Sequence, residues 1–143
     1  MKIIENLPKF AIVALLVGGV AIIGSKAFMG SSGALIVDVK VPELTKLAQR
    51  GKQSFDANCV SCHGDNASGS ELGPPLVHDI YNPGHHADQA FYFAAQRGVK
   101  RHHWPFGDMP AQPQIRKSQV RDIIHYVREL QIANGILTKQ HTM

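Results

Sequence analysis

The sequence predicts an all-α domain, three or more helices with long loops between them, carried behind one apolar N-terminal helix. Three observations lead there. Apolar residues recur at three- and four-residue steps in three stretches beyond residue 41, no stretch alternates apolar and polar side chains as a half-buried strand would, and Phe10–Gly24 holds no charged residue. A length of 143 residues suits one ordinary domain, and 44% hydrophobic residues is a globular share. Lys and Arg outnumber Asp and Glu by 15 to 11, a formal net charge of +4. No run gathers those basic residues into a stripe, which sets nucleic acid aside as a partner.

Residues 1–29 read as a membrane anchor. Phe10–Gly24 would span only ~22 Å as a helix, short of a ~30 Å hydrocarbon core. Extension through Ser25, Ala27, Phe28 and Met29 reaches full thickness if Lys26 carries its ammonium to the interface. Lys2 and Lys9 favour a cytoplasmic N-terminus. A cleaved leader is the alternative, with small residues at Ser25-Lys26-Ala27 and Ser32-Gly33-Ala34, but neither site has alanine at both flanks. Residues 30–40 (GSSGALIVDVK) read as a tether, flexible at its Gly/Ser start, with Ala34–Val37 a membrane-proximal extension or a docking strand.

The main domain is expected over residues 41–135, with a tail at 136–143. Pro42 suits the first residue of a helix, because the missing N–H would be unpaired there anyway. Leu44, Leu47, Ala48, Gly51 and Phe55 then form one apolar stripe, and this helix is expected to end near Asn58. A second helix is predicted from Asp88, as N-cap, to Arg97, with Gly98 as its stop. In the third, Ser118 is the expected cap, Val120, Ile123, Ile124, Val127 and Leu130 line one face, and Asn134-Gly135 ends it. Gly64–Gly84 and Val99–Lys117 are long Gly/Pro-rich connections that need something to pack against, and a large bound cofactor would serve.

The chain's two cysteines stand in Cys59-Val60-Ser61-Cys62-His63. Cys-x-x-Cys-His is the attachment pattern for c-type haem. Two thiols on one helical turn can each add across a haem vinyl group, and His63 then aims its imidazole at the iron as proximal ligand. A thioredoxin-type disulfide would want a βαβ setting that this chain lacks. A structural zinc would need four Cys or His ligands, and only histidines remain to complete it. A chance pair of ordinary cysteines is a further alternative in an exported chain, but haem attachment also explains why just two cysteines stand so close together.

Over Val41 to Gly135 the chain resembles the class I c-type cytochromes. The resemblance rests on the helix with Gly51 and Phe55, the Cys59–His63 motif, the Gly73-Pro74-Pro75-Leu76 turn, Gly107-Asp108-Met109-Pro110, and the last helix with Tyr126. It implies a fold wrapped around one haem bound covalently through Cys59 and Cys62, with the first and last helices crossing at Gly51. It also implies that Pro74 offers its carbonyl to the ring N–H of His63, against the plainer reading of Pro74-Pro75 as an ordinary turn. Met109 stands where the family places the sixth iron ligand, a thioether that raises the reduction potential relative to two histidines. Its plainer reading is a loop residue filling a gap, and His78, His85, His86, His102 and His103 lie in the same two loops as competing ligands.

His85-His86 and His102-His103, flanking the second helix, depart from the family pattern. They read as a copper or zinc site, as a proton-linked docking patch, or as exposed or propionate-bonded loop histidines; adjacent side chains diverge, which disfavours chelation by one pair. Trp104 is expected to reach a propionate through its indole N–H or to cap the core beside Phe106. Of Phe91, Tyr92 and Phe93, one or two are expected to face the haem. Arg97, Lys100 and Arg101 form a basic cluster suited to steering an acidic partner, to binding a propionate, or simply to solvation.

By resemblance, a haem with both axial positions filled can only change oxidation state. The expected protein is therefore an electron carrier and not an enzyme. It is a mono-haem cytochrome c, single-pass in a bacterial inner membrane with its haem domain in the periplasm, moving electrons between redox partner proteins. A soluble periplasmic form after cleavage is the alternative location. The rival functions are a haem-bearing subunit of a larger membrane oxidoreductase, a haem sensor or enzyme with an open iron, and a His-rich metal-binding protein.

Overall fold

A computed structural model describes residues 35–139, which belong to one compact unit. The anchor or leader expected at residues 1–29, the first residues of the tether and the last residues of the tail lie outside the described residues. Among the described residues four helices make up the frame: α1 Lys46–Asn58, α2 Val60–His63, α3 Asp88–Arg97 and α4 Lys117–Ala133, with single 3₁₀ turns at Asp65–Ala67 and Asp79–Tyr81. Among the described residues there is no strand, only one antiparallel bridge between Val99 and Met109. No helix among them is long and apolar enough to cross a membrane.

The first helix starts at Lys46 and not at Pro42. Thr45 decides this: its hydroxyl accepts from Ala48 N–H at 3.3 Å and donates to Glu129 Oε1 on α4 at 2.5 Å, while its own N–H donates to Glu129 Oε2 at 3.1 Å. One side chain thus caps α1 and ties it to α4. Ala48, Gly51 and Phe55 are the buried face, as the periodicity predicted.

That face meets α4 closely. A Cβ placed on Gly51 would lie 1.9 Å from the Asp122 carbonyl oxygen and 2.9 Å from Tyr126 Cβ, so the two backbones touch where only glycine fits. One turn on, the Phe55 and Tyr126 rings pack edge to face with centroids 5.6 Å apart. Val127 and Leu130 complete a seam sealed from solvent.

Helix α4 begins one residue before the expected cap, so Ser118 is its second residue. Arg116 is the N-cap in extended conformation, and its N–H donates to Gln119 Oε1 at 3.1 Å, the backbone half of a capping box. Asn134 closes the helix, followed by Gly135 at φ +77. On α3 the cap is Ala87, and Asp88 is the first helical residue, where its charge favours the positive end of the helix.

The chain before α1 packs on the domain: Val37 N–H donates to Ser68 O at 2.9 Å, and the Lys40 backbone exchanges hydrogen bonds with the Asn134 side chain at 2.8 and 2.9 Å. Val37 and Val39 rest on the core, and Ile136, in the segment expected as tail, is buried in it.

Candidate functional site

Cys59 sits at the break between α1 and α2, with φ −123 and ψ −28, and the Cys62 and His63 N–H groups both donate back to its carbonyl at 3.1 and 2.9 Å. Neither thiol is bridged. Burial pushes the Cys59 thiol up to about 11, with neighbouring Cys62 adding to the shift, so it is protonated at neutral pH.

The connection after α2 folds back on the motif. Ser70 Oγ donates to Cys62 O at 2.6 Å and Gly69 N–H to His63 O at 2.7 Å. Gly73 lies so near that a Cβ on it would be 2.8 Å from Cys62 O. This return brings the Pro74 carbonyl to 2.9 Å from His63 Nδ1. A carbonyl only accepts, so Nδ1 carries the proton and Nε2 keeps its lone pair. Burial holds His63 below the usual histidine value against the opposing pull of that hydrogen bond, which leaves the ring neutral at neutral pH.

Met109 arrives from the far loop. Its N–H and C=O both bond to Val99, each at 2.9 Å, pinning the base of a nine-residue excursion beyond α3. Gly98 makes the approach possible at φ +74, since a Cβ there would lie 2.4 Å from Met109 O. Asp108 steadies the same base by accepting from Arg101 N–H at 3.0 Å and pairing with Lys100 Nζ at 3.5 Å.

Cys59, His63, Pro74 and Met109 all line one cavity of about 550 Å³, together with Phe91 and Trp104. Cys62 is not on that wall. Its volume is in the usual range for cofactor sites, and its walls are mostly apolar. The donor chemistry is thiol, neutral imidazole and thioether, the set that attaches and ligates a c-type haem. The residues present therefore fit such a group.

Several expectations for the rim resolve differently. The Trp104 indole N–H donates to Tyr81 OH at 3.0 Å, so it is already paired within the protein. Burial pushes the Tyr81 hydroxyl up to about 12 despite that bond. Phe91 and Phe93 line the cavity and Tyr92 does not. His78 caps a turn, its Nδ1 accepting from Ile80 N–H at 3.2 Å. The other four loop histidines come together, with His85 Nε2 3.2 Å from His103 Nε2.

Arg128 is the residue that periodicity did not single out. From α4 it donates to Asp88 Oδ1 at 2.9 Å, Tyr81 O at 2.7 Å, His86 O at 2.6 Å and Gln131 Oε1 at 2.7 Å, and it lies over the Phe91 ring at 5.1 Å. Gln131, almost fully buried, donates to Leu76 O at 2.8 Å and Tyr81 O at 3.1 Å. These two side chains hold one wall of the cavity to α4. A polar residue beside or within an apolar stripe was the only available signal.

The sequence pattern of the cytochrome c family matches residues 48–131. Among curated proteins, the chain is 35% identical over 86 residues to the cbb3-type cytochrome c oxidase subunit CcoP of Rhodobacter capsulatus, covering 58% of this chain and 29% of that one. It is 33% identical over 96 residues to the corresponding subunit FixP of Sinorhizobium medicae, covering 64% of this chain and 30% of that one. Against FixP of Rhizobium meliloti the identity is 32% over 105 residues, 71% of this chain and 34% of the other. The chain thus spans about a third of the length of these relatives. No solved structure matches.

Proposed function

The chain belongs to the cytochrome c family, and from that premise we propose that it carries single electrons on one covalently bound haem with His63 and Met109 as axial ligands. Cys59 and Cys62 are the attachment thiols, the one Cys-x-x-Cys-His motif in the sequence. The haem supplies the one-electron iron couple when bound.

The protein's own groups do the rest. Pro74 O holds the His63 ring by its Nδ1–H, which fixes the tautomer with Nε2 toward the cavity and raises its basicity as a donor. The Val99–Met109 bridge holds the thioether-bearing residue against the same cavity. Apolar walls keep water from the redox centre, and ligands fixed by short backbone bonds need little rearrangement when the charge changes. A haem held by both His63 and Met109 would leave no substrate site at its iron, which supports a carrier over an enzyme. The single observation that carries this reading is that His63, with its Nδ1 engaged, and Met109 line one apolar cavity.

The relatives are oxidase subunits by name, which supports a haem-bearing subunit of a membrane oxidoreductase as the setting for this electron transfer, with a free shuttle as the other. We place residues 1–29 as a single-pass anchor in a bacterial inner membrane, residues 30–40 as the connection and residues 41–135 as the periplasmic haem domain. Redox proteins are the partners in either setting.

Attachment is tested by denaturing the protein made in cells competent for haem maturation. Haem retained on the unfolded polypeptide, and lost or singly bonded in Cys59→Ala and Cys62→Ala, is the expected result. Haem that leaves on denaturation, or full attachment in both variants, would overturn the assignment. A complex that survives detergent extraction at high salt would identify the oxidase-subunit setting, and a monomeric haem protein would identify the shuttle.

A further inference from the structure

We propose that His85, His86 and His103 form a binding site for one divalent transition-metal ion, zinc or copper, distinct from His63 and Met109 although His86 and His103 stand on the wall of the same cavity. The proposal stands on the placement of these histidines and does not require the haem reading.

One ring nitrogen from each of the three lies within 4.8 Å of the others. Three points so spaced fit a circle of radius about 2.8 Å, so shifts under ~1 Å bring all three to the 2.0–2.1 Å of a zinc–imidazole bond. The closest pair is nearer still. His85 Nε2 and His103 Nε2 are 3.2 Å apart, and two imidazole nitrogens on one tetrahedral ion sit about 3.3 Å apart.

The third ligand has its tautomer set. His86 Nδ1 lies 2.7 Å from Ile80 O, an acceptor only, so Nδ1 holds the proton and Nε2 the lone pair. A ring N–H given to a backbone carbonyl is the usual outer support of a metal-bound histidine. The backbone of His86 is held as well, its carbonyl accepting from Arg128 Nη2 at 2.6 Å. His102 is similarly set, Nδ1 facing Lys100 O at 2.8 Å with its ring 4.3 Å from that of His103, and it is the next imidazole in reach.

The ligand set spans two loops. His85 and His86 precede α3 and His103 follows it, on the excursion closed by the Val99–Met109 bridge. Adjacent histidines diverge, but here each pair contributes to a site completed by the other. An all-imidazole donor set suits zinc and copper, and leaves calcium and magnesium, which need oxygen ligands, unsupported. A bound ion would clasp the loop carrying Met109 to the wall fixed by Arg128.

The test uses the full, untagged chain as purified with its haem, stripped by chelator and titrated with zinc by calorimetry. One zinc per chain is expected, with affinity falling at least ~10-fold in His85→Gln and in His103→Gln, the least that loss of even an outer partner costs, and unchanged in His125→Gln, whose ring is exposed on α4. Copper(II) bound to the unaltered protein gives an independent reading, through nitrogen coupling in its electron spin resonance spectrum. Absence of stoichiometric zinc and of nitrogen-coupled copper would overturn the site, as would zinc binding equally well to the His85→Gln/His103→Gln double variant. Histidines engaged by haem carboxylates instead would give the first of those negative results, while the haem spectrum stayed intact.

Discussion

Gly51→Ala is the sharpest test of how the frame is built. The added methyl would lie 1.9 Å from Asp122 O and 2.6 Å from Asp122 C, both backbone atoms of α4. No rotamer change relieves a clash with backbone, so the helices must part by about 1.5 Å to reach ordinary van der Waals contact. That opens the seam holding Phe55, Tyr126, Val127 and Leu130, all with no exposed surface. Overpacking of this kind costs about 3 kcal/mol, offset by about 1 kcal/mol from the better helix propensity of alanine, a net loss near 2 kcal/mol. For a domain of this size that lowers Tm by roughly 8–16 °C. Thermal unfolding followed by circular dichroism, with Gln53→Ala on the exposed face of α1 as reference, reads the effect. An unchanged or raised Tm would mean that propensity alone decides and that the backbones do not meet at Gly51.

Met109→Ala should lower the reduction potential and let the reduced protein bind carbon monoxide; potentiometry and the carbon monoxide difference spectrum check both, and no change in either would remove Met109 from the site. Pro74→Ala should alter the potential little, since the group facing His63 is a backbone carbonyl that any residue supplies; a large shift would mean that the ring, not the carbonyl, matters. Arg128→Met should destabilise by about 1–3 kcal/mol, because it leaves His86 O and Gln131 Oε1 without their donor while Tyr81 O keeps Gln131 and the exposed Asp88 carboxylate returns to water, and denaturant unfolding measures it. Hydrogen bonds from Arg121 and Arg50 hold the Asp122 carboxyl below the usual range. Its folded value is the lower one, so the stability it adds is complete above the unfolded value near ~3.9 and fades as pH falls below it. Asp122→Asn should flatten that part of the acid-unfolding curve, and an unaltered curve would deny the pairing.

Helix interiors were legible because burial repeats with the helical period: Ala48, Gly51 and Phe55 on α1, and Val120 through Leu130 on α4, are the buried faces found. Helix starts were less so. Pro42 signals a start on local grounds, but Thr45 is fixed by Glu129, 84 residues away, and no local pattern reports that contact. Ser118 yielded to Arg116 because Gln119 answers the Arg116 N–H, making a cap of a residue that rarely serves as one. The Cys59–His63 motif is contiguous and was readable outright. Pro74 and Met109 were readable by resemblance alone, since a carbonyl has no sequence signature and one loop methionine looks like another. The two histidine pairs were legible as one reading of a copper or zinc site, but not their meeting, because they come together only when the chain returns past α3, held by a two-residue bridge and by an arginine on another helix.

The central claim, a covalent haem held between His63 and Met109, is tested most directly by the optical spectrum of the purified ferric protein, carried into the near-infrared. The account predicts a c-type haem spectrum with the charge-transfer band of methionine sulfur on ferric iron, abolished by Met109→Ala. A c-type spectrum without that band would contradict the ligation and turn the function toward sensing or catalysis at an open or histidine-bound iron.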